Sequence, residues 1–182
     1  MKKESKKDNK FIIGIFIRYL FLLLVSIGGL YIFYLVFTPL TVYSVFFLAS
    51  LFFKASVSGN IVHFGNGCFD IVYACVAGSA YYLLLVLNLS IPNIPIKKRL
   101  MMIFSSFLLL LLLNILRIFF LGILFSSNLD LFNLAHKVLW YFLSTIFIIG
   151  IWFIEVAIFK IKGIPFYSDI KFLYKLIKNK SF

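Results

Sequence analysis

Cysteine and histidine are nearly missing from this 182-residue chain, which has two of each. Two cysteines cannot build the disulfide framework of a small secreted domain. Nor do Cys68, Cys75, His63 and His136 fall at a spacing familiar from zinc sites, so neither a metal nor another cofactor is expected. Charge is scarce too: 13% of residues are charged and six are acidic, against 63% hydrophobic and a mean hydropathy of +1.08. That balance excludes a soluble domain of ordinary composition. At roughly 20 apolar residues per crossing, the length allows about four to six crossings and no appended domain.

The charges that do occur are lopsided and local. A net charge of +12 raises nucleic acid as a partner, but the basic residues are not interleaved with exposed aromatics. They gather in Met1–Lys10, in Lys97-Lys98-Arg99 and along Lys160–Lys180, each beside an apolar segment. This is the pattern of cytoplasmic loops in a membrane protein, with attraction to anionic lipid as a by-product and no nucleic acid expected.

Taken in order, the five lysines of Met1–Lys10 precede the apolar run Phe11–Phe37. A signal peptide would have a much shorter apolar core followed by a small-residue cleavage site, so a retained first span is predicted. Thr38-Pro39 is expected to end it. Thr41–Phe53 is short for a crossing and is expected to lie on the outer interface. Ser56–Asp70 carries Gly59, Asn60, Gly65, Asn66 and Gly67 around a short β-like run and reads as a hairpin outside the hydrocarbon. Spans are predicted over Ile71–Leu89, Leu100–Gly122 and Leu131–Phe159. The tail Lys160–Phe182 places Lys171, Lys175 and Lys178 opposite Ile170, Leu173 and Ile177, a basic amphipathic helix suited to the membrane surface.

The expected fold is therefore an all-α polytopic membrane protein: about four transmembrane helices, an outer interfacial helix, an extracytoplasmic hairpin and a basic cytoplasmic tail. With Lys97–Arg99, the tail and the N-terminus inside, one crossing precedes Ser56 and the helix bearing Cys75 runs from outside to inside. Helical rise then puts Cys75, Arg117 and His136 roughly 6–12 Å deep from the outer face, on three different helices. Asn114 and Arg117, three residues apart, share a helix face. Arg18 and Glu155 fall in the opposite half and are expected to pair there.

An arginine at membrane depth points to a functional site. A thiol beside a cation and an imidazole has what acyl transfer needs: an activated nucleophile, a general base and an oxyanion partner. The small residues Ala74, Ala77, Gly78, Ser79 and Ala80 around Cys75 would let helices approach closely. Each member also has a plainer reading: Cys75 as packing, Arg117 as a structural partner of Asp70 or Asp130, His136 as an interfacial residue. Cys68, on the same side as Cys75, could pair with it or replace it as the nucleophile.

Ala74-Cys75-Val76-Ala77-Gly78, Asn114-Ile115-Leu116-Arg117 and Ala135-His136, in that order and spacing, resemble the exosortase/archaeosortase family, with Ser79 opening a continuation, SAYYLLLVLNLS, similar to its archaeal branch. Bacterial members usually carry Ala-Cys-Ser-Gly, whereas here Val76-Ala77 intervene before Gly78. The resemblance implies a membrane-embedded cysteine protease or transpeptidase. It would act on secreted preproteins with a C-terminal sorting signal and transmembrane segment, and a membrane lipid would be the acceptor of the new C-terminus. It further implies Cys75 as nucleophile, Arg117 as carbonyl or oxyanion stabiliser and His136 as acid/base, with Asn114 and Ser79 in support, at the extracytoplasmic side of the cell membrane. Two alternatives stand beside it: a non-enzymatic carrier or assembly protein binding an anionic lipid or solute through Arg117, and an intramembrane hydrolase without a transfer step.

Overall fold

Two helices set the character of the molecule's outer surface. The computed structural model describes residues 2–28, 30–64, 67–92, 94–127, 129–139, 144–161, 163, 165 and 167–180. Within it, α2 (Tyr31–Ser50) and α5 (Ile96–Ser127) are long and apolar enough to cross a membrane. Each carries two opposed stripes at i, i+4 spacing. On α5, Met102, Ser106, Leu110, Asn114, Ile118 and Gly122 are buried, while Leu100, Phe104, Leu108, Leu112, Leu116 and Phe120 are exposed. A helix with its polar groups inside and a wholly apolar outer stripe inverts the amphipathicity of a soluble protein's surface helix and suits a lipid surrounding. On α2, Phe33, Phe37, Thr41, Val45 and Ala49 face in, while Tyr31, Leu35, Tyr43 and Phe47 face out.

The apolar run at Phe11–Phe37 is not one helix. The first helix, α1 (Lys2–Ile27), ends there, and Leu30 adopts a left-handed conformation with φ 62° before α2 begins. Hydropathy alone misses the break because every residue on both sides is compatible with lipid. Pro39 does not end a helix either; it lies inside α2. A proline is tolerated in a membrane helix when neighbouring helices and side chains compensate the freed carbonyl. Thr41–Phe53 is accordingly no separate interfacial helix: its residues through Ser50 complete α2, whose 20 residues span about 30 Å, the thickness of a hydrocarbon core.

The expected hairpin is a three-stranded antiparallel meander of β1 (Ala55–Ser58), β2 (Ile61–Phe64) and β3 (Gly67–Asp70) in that spatial order. A two-residue connection joins β1 to β2, where Gly59 supplies φ 61°, and 65–66 lie outside the described residues. The molecule is thus mostly helical with one small sheet.

The expected span Ile71–Leu89 is also interrupted. A single turn, α3 (Tyr73–Val76), stops at Ala77, whose φ is 60°, and α4 (Gly78–Leu89) follows. Beyond α5, the segment expected as one span holds α6 (Leu129–Val138) and α7 (Ser144–Ile158), with 140–143 outside the described residues. The tail forms α8 (Tyr167–Lys180).

Aromatic packing joins α2, α4 and α5. Phe37 stacks on Tyr81 with centroids 3.8 Å apart, and Phe107 meets Phe33, Phe37 and Tyr81 edge-on. Gly78 lies under the Tyr34 ring: a Cβ there would sit 2.6 Å from its Cε1. Ala77 and Ala80 instead face Leu110, Asn114 and Arg117 of α5 and Phe147 of α7 across a void of about 10 Å³. Only part of the small-residue run therefore serves the approach of α5.

The far end is held by cations on carbonyls. Arg99 donates to the carbonyls of Asn88, Leu89 and Ile91 at 3.1, 2.6 and 2.7 Å, and Arg18 to those of Leu89 and Ile91 at 3.0 and 3.2 Å. These are the orphan acceptors at the end of α4 and just beyond it. The expected Arg18–Glu155 pair does not form. Arg18 pairs with Asp169 of α8 at 3.2 Å, and Tyr19 also donates to that carboxylate at 3.1 Å. Glu155 is buried between helices, accepting from Ser105 Oγ at 2.6 Å and Asn88 Nδ2 at 3.1 Å. The tail supplied a carboxylate that could reach Arg18, and sequence depth alone does not weigh it against Glu155.

Candidate active site

The break at Ala77 sets the position of Cys75. In an unbroken helix, the Cys75 carbonyl would accept the N–H four residues on. With Ala77 left-handed, that carbonyl turns to α5, where Asn114 Nδ2 donates to it at 2.8 Å and Arg117 Nη2 at 3.1 Å. The left-handed residue costs about 1–2 kcal/mol, which two hydrogen bonds, one charge-assisted, are large enough to offset. The thiol's turn is tied at its other end by Cys75 N–H donating to Val72 O at 2.8 Å.

Asn114 and Arg117 act together because i, i+3 residues share a face, and both are buried. The sequence expectation of a polar stripe there agrees with the geometry. The ligand of that stripe is the backbone carbonyl of Cys75, a contact that side-chain chemistry alone does not suggest.

Cys75, Arg117 and His136 line one cavity of about 240 Å³. Cys75 is half-buried on α3, Arg117 buried on α5, and His136 comes from α6. The His136 ring lies 5.5 Å from that of Phe132, which packs edge-on against Phe125, which meets Phe69 of β3 in turn. With Ile118, Leu121 and Leu139 these aromatics make most of the wall apolar. A few polar groups, with His136 exposed at the rim, thus line an otherwise greasy chamber, the usual form of a small binding site.

Ser79 does not join them. It is exposed at the start of α4 and is absent from the cavity lining. Cys68 and Cys75 are both free thiols, and both line the cavity. Asp70 lines it as well.

What sequence reasoning missed is the sheet's part in the site. Cys68, Phe69, Asp70 and Ile71 form one wall, and Phe125 and Phe132 another. Two turn signals, Gly59-Asn60 and Gly65-Asn66, six residues apart, were enough to indicate three strands. No pattern in the chain indicated that the last strand runs along the thiol. Among the described residues, no group of three or more His, Cys, Asp or Glu side chains could hold a metal ion. No protein-family model, curated protein or solved structure matches the chain.

Proposed function

We propose that the chain is a multi-pass cysteine transpeptidase of archaeosortase type, embedded in the cell membrane, that cleaves C-terminal sorting signals of secreted preproteins. The observation that carries this reading is the shared cavity: a thiol, a guanidinium and an imidazole from three separate helices open into one apolar chamber. In this topology α2 makes the one crossing before the sheet, with the shorter apolar stretch of α1 leading into it, the sheet lies outside, and the cavity belongs to the extracytoplasmic half. Lipid-compatible walls suit a substrate whose next segment is itself a membrane helix.

In the proposed reaction Cys75 Sγ attacks the carbonyl carbon of the scissile peptide bond, and its proton passes to His136. An Arg117 N–H stabilises the oxyanion. The tetrahedral intermediate collapses to a thioester as His136 returns the proton to the leaving amine. A nucleophilic acceptor, a lipid amine in the transpeptidase or water in a hydrolase, then resolves the thioester and regenerates the thiol. Asn114 is a positioning residue, holding the turn that carries Cys75.

The test is alkylation of Cys75 by iodoacetamide at neutral pH, in protein reconstituted in lipid with Cys68→Ala so that one thiol remains. Arg117→Met and His136→Ala are each expected to slow it at least about tenfold, and to lower cleavage of a preprotein with a C-terminal span by about a hundredfold or more. A thiol that alkylates equally in all three proteins would overturn the catalytic assignment and favour the non-enzymatic carrier, in which Arg117 holds an anionic lipid or solute.

A further inference from the structure

Four consecutive residues, Cys68 to Ile71, line the cavity. Successive side chains of a strand point to opposite faces, so a chamber touching an unbroken run lies against the strand's edge and not against one face. β3 is indeed an outer strand of the sheet, with β2 on one side only.

The register shows which backbone groups look into that edge. Ile71 N–H donates to Asn60 O at 3.0 Å, which makes the 60/71 pair hydrogen-bonded. Antiparallel pairs alternate, so Val62/Phe69 and Phe64/Gly67 are hydrogen-bonded as well, while Ile61/Asp70 and His63/Cys68 are not. The N–H and C=O of Cys68 and Asp70 therefore point away from β2. Val72 N–H takes the Asp70 carbonyl at 3.1 Å. Left facing outward are the Cys68 N–H, the Cys68 C=O and the Asp70 N–H, with no strand paired to them among the described residues. Four residues lie between the last of these and Cys75.

Such an edge is a template for another strand. We infer that the free edge of β3 captures an extended peptide segment as a fourth strand, laying its backbone along the cavity beside Cys75. This rests on the proposed peptidase reading and adds how the substrate is held: by main-chain hydrogen bonds at Cys68 and Asp70, with the apolar walls taking its side chains. A pairing strand runs about 4.8 Å from its neighbour. It would be recognised by being extended, and side-chain sequence would be read only where a residue meets Phe69, Phe125 or Phe132. The occupant is a polypeptide; a lipid chain has no donors or acceptors to match this edge.

The experiment uses the full chain with Cys68→Ala in lipid and an acetyl-Val-Ala-Val-Ala chloromethyl ketone, whose methylene carbon is attacked by the Cys75 sulfur with loss of chloride. Two further probes carry N-methyl groups on alternate residues, one set on the odd amides and one on the even. One set is expected to label Cys75 about five- to tenfold more slowly than the parent, the loss of roughly one backbone hydrogen bond, and the other at the parent's rate. In Cys68→Pro, which keeps Cys75 as the sole thiol and removes the outward N–H at an edge position that accepts proline, the ratio of peptide-probe rate to iodoacetamide rate should fall by a similar factor. Equal labelling by all three peptide probes overturns strand pairing and leaves the peptidase reading standing. Failure of every peptide probe on a thiol that iodoacetamide does alkylate overturns strand pairing, and a thiol inert to all reagents overturns both. Should Cys68→Pro not fold, the N-methyl series on the Cys68→Ala protein decides alone.

Discussion

Replacing Gly78 by alanine tests how closely α2 and α4 approach, and its cost can be worked from distances. The new Cβ would lie 2.6, 2.7 and 3.0 Å from Cε1, Cζ and the hydroxyl of Tyr34. Ordinary contact begins near about 3.5 Å, so the ring must retreat by nearly an ångström. It cannot do so freely, because its centroid is 4.6 Å from that of Tyr73, which opens α3. Losing that stack costs about 0.5–1.5 kcal/mol, and overpacking typically adds about 1–3 kcal/mol. The helix-propensity gain of Ala over Gly, about 1 kcal/mol in a helix interior, is diminished at the first residue of α4. The net expectation is a loss of about 1–3 kcal/mol. Thermal unfolding of lipid-reconstituted protein should show Gly78→Ala melting earlier, and Tyr34→Ala should relieve most of the penalty in the double variant. The clash argument is refuted if the two effects simply add, since steric relief requires a coupling of at least about 1 kcal/mol.

Three further outcomes are expected. Asn114→Leu removes one of two donors to the Cys75 carbonyl and should cost about 1 kcal/mol of stability while slowing alkylation of Cys75 by iodoacetamide; an unchanged thiol rate would show that Arg117 alone positions α3. Arg18→Met removes the ion-pair partner of the buried Asp169 carboxylate and leaves it with Tyr19 and the nearby Arg99, so stability should drop by about 1–3 kcal/mol and trypsin should cut α8 at Lys171 sooner, with Asp169→Leu restoring protection; equal digestion would count against the ion pair as the tail's anchor. Glu155→Leu deprives Ser105 and Asn88 of their shared acceptor and should lower stability by about 1–3 kcal/mol, whereas Glu155→Gln keeps an acceptor and should lose less; equal melting of the two variants would mean that the buried network carries no net stability.

The apolar segments and the polar residues that line the cavity were legible because burial in lipid and charge at depth leave local marks: a long hydrophobic run, an arginine within leucines. Breaks were not. Leu30 and Ala77 take left-handed conformations that neither residue type prefers; Gly28-Gly29 just before Leu30 is a breaker signal that the apolar run outweighed, whereas at Ala77 tertiary packing imposes the turn. Partners across the bundle were equally hidden. Depth predicted that Arg18 and Glu155 share a layer, yet Asp169, 151 residues from Arg18 in the chain, takes the cation. Asn114 and Arg117 were readable as a pair, and their common partner was not, because it is a carbonyl and every residue has one.

The left-handed residue at Ala77 also has a mechanical side. Below it, α4 is pinned at its far end by two arginines on terminal carbonyls; above it, the turn carrying the thiol hangs from α5. Tilting α4 to suit a thinner or thicker bilayer then bends the chain at residue 77 and leaves the sulfur in register with Arg117. Reactivity of Cys75 should accordingly vary little between short-chain and long-chain lipids. Ala77→Pro, by stiffening the joint in a conformation it does not adopt, should make that reactivity depend on lipid length or abolish it, so the joint works as a suspension that isolates chemistry from the membrane's own deformations.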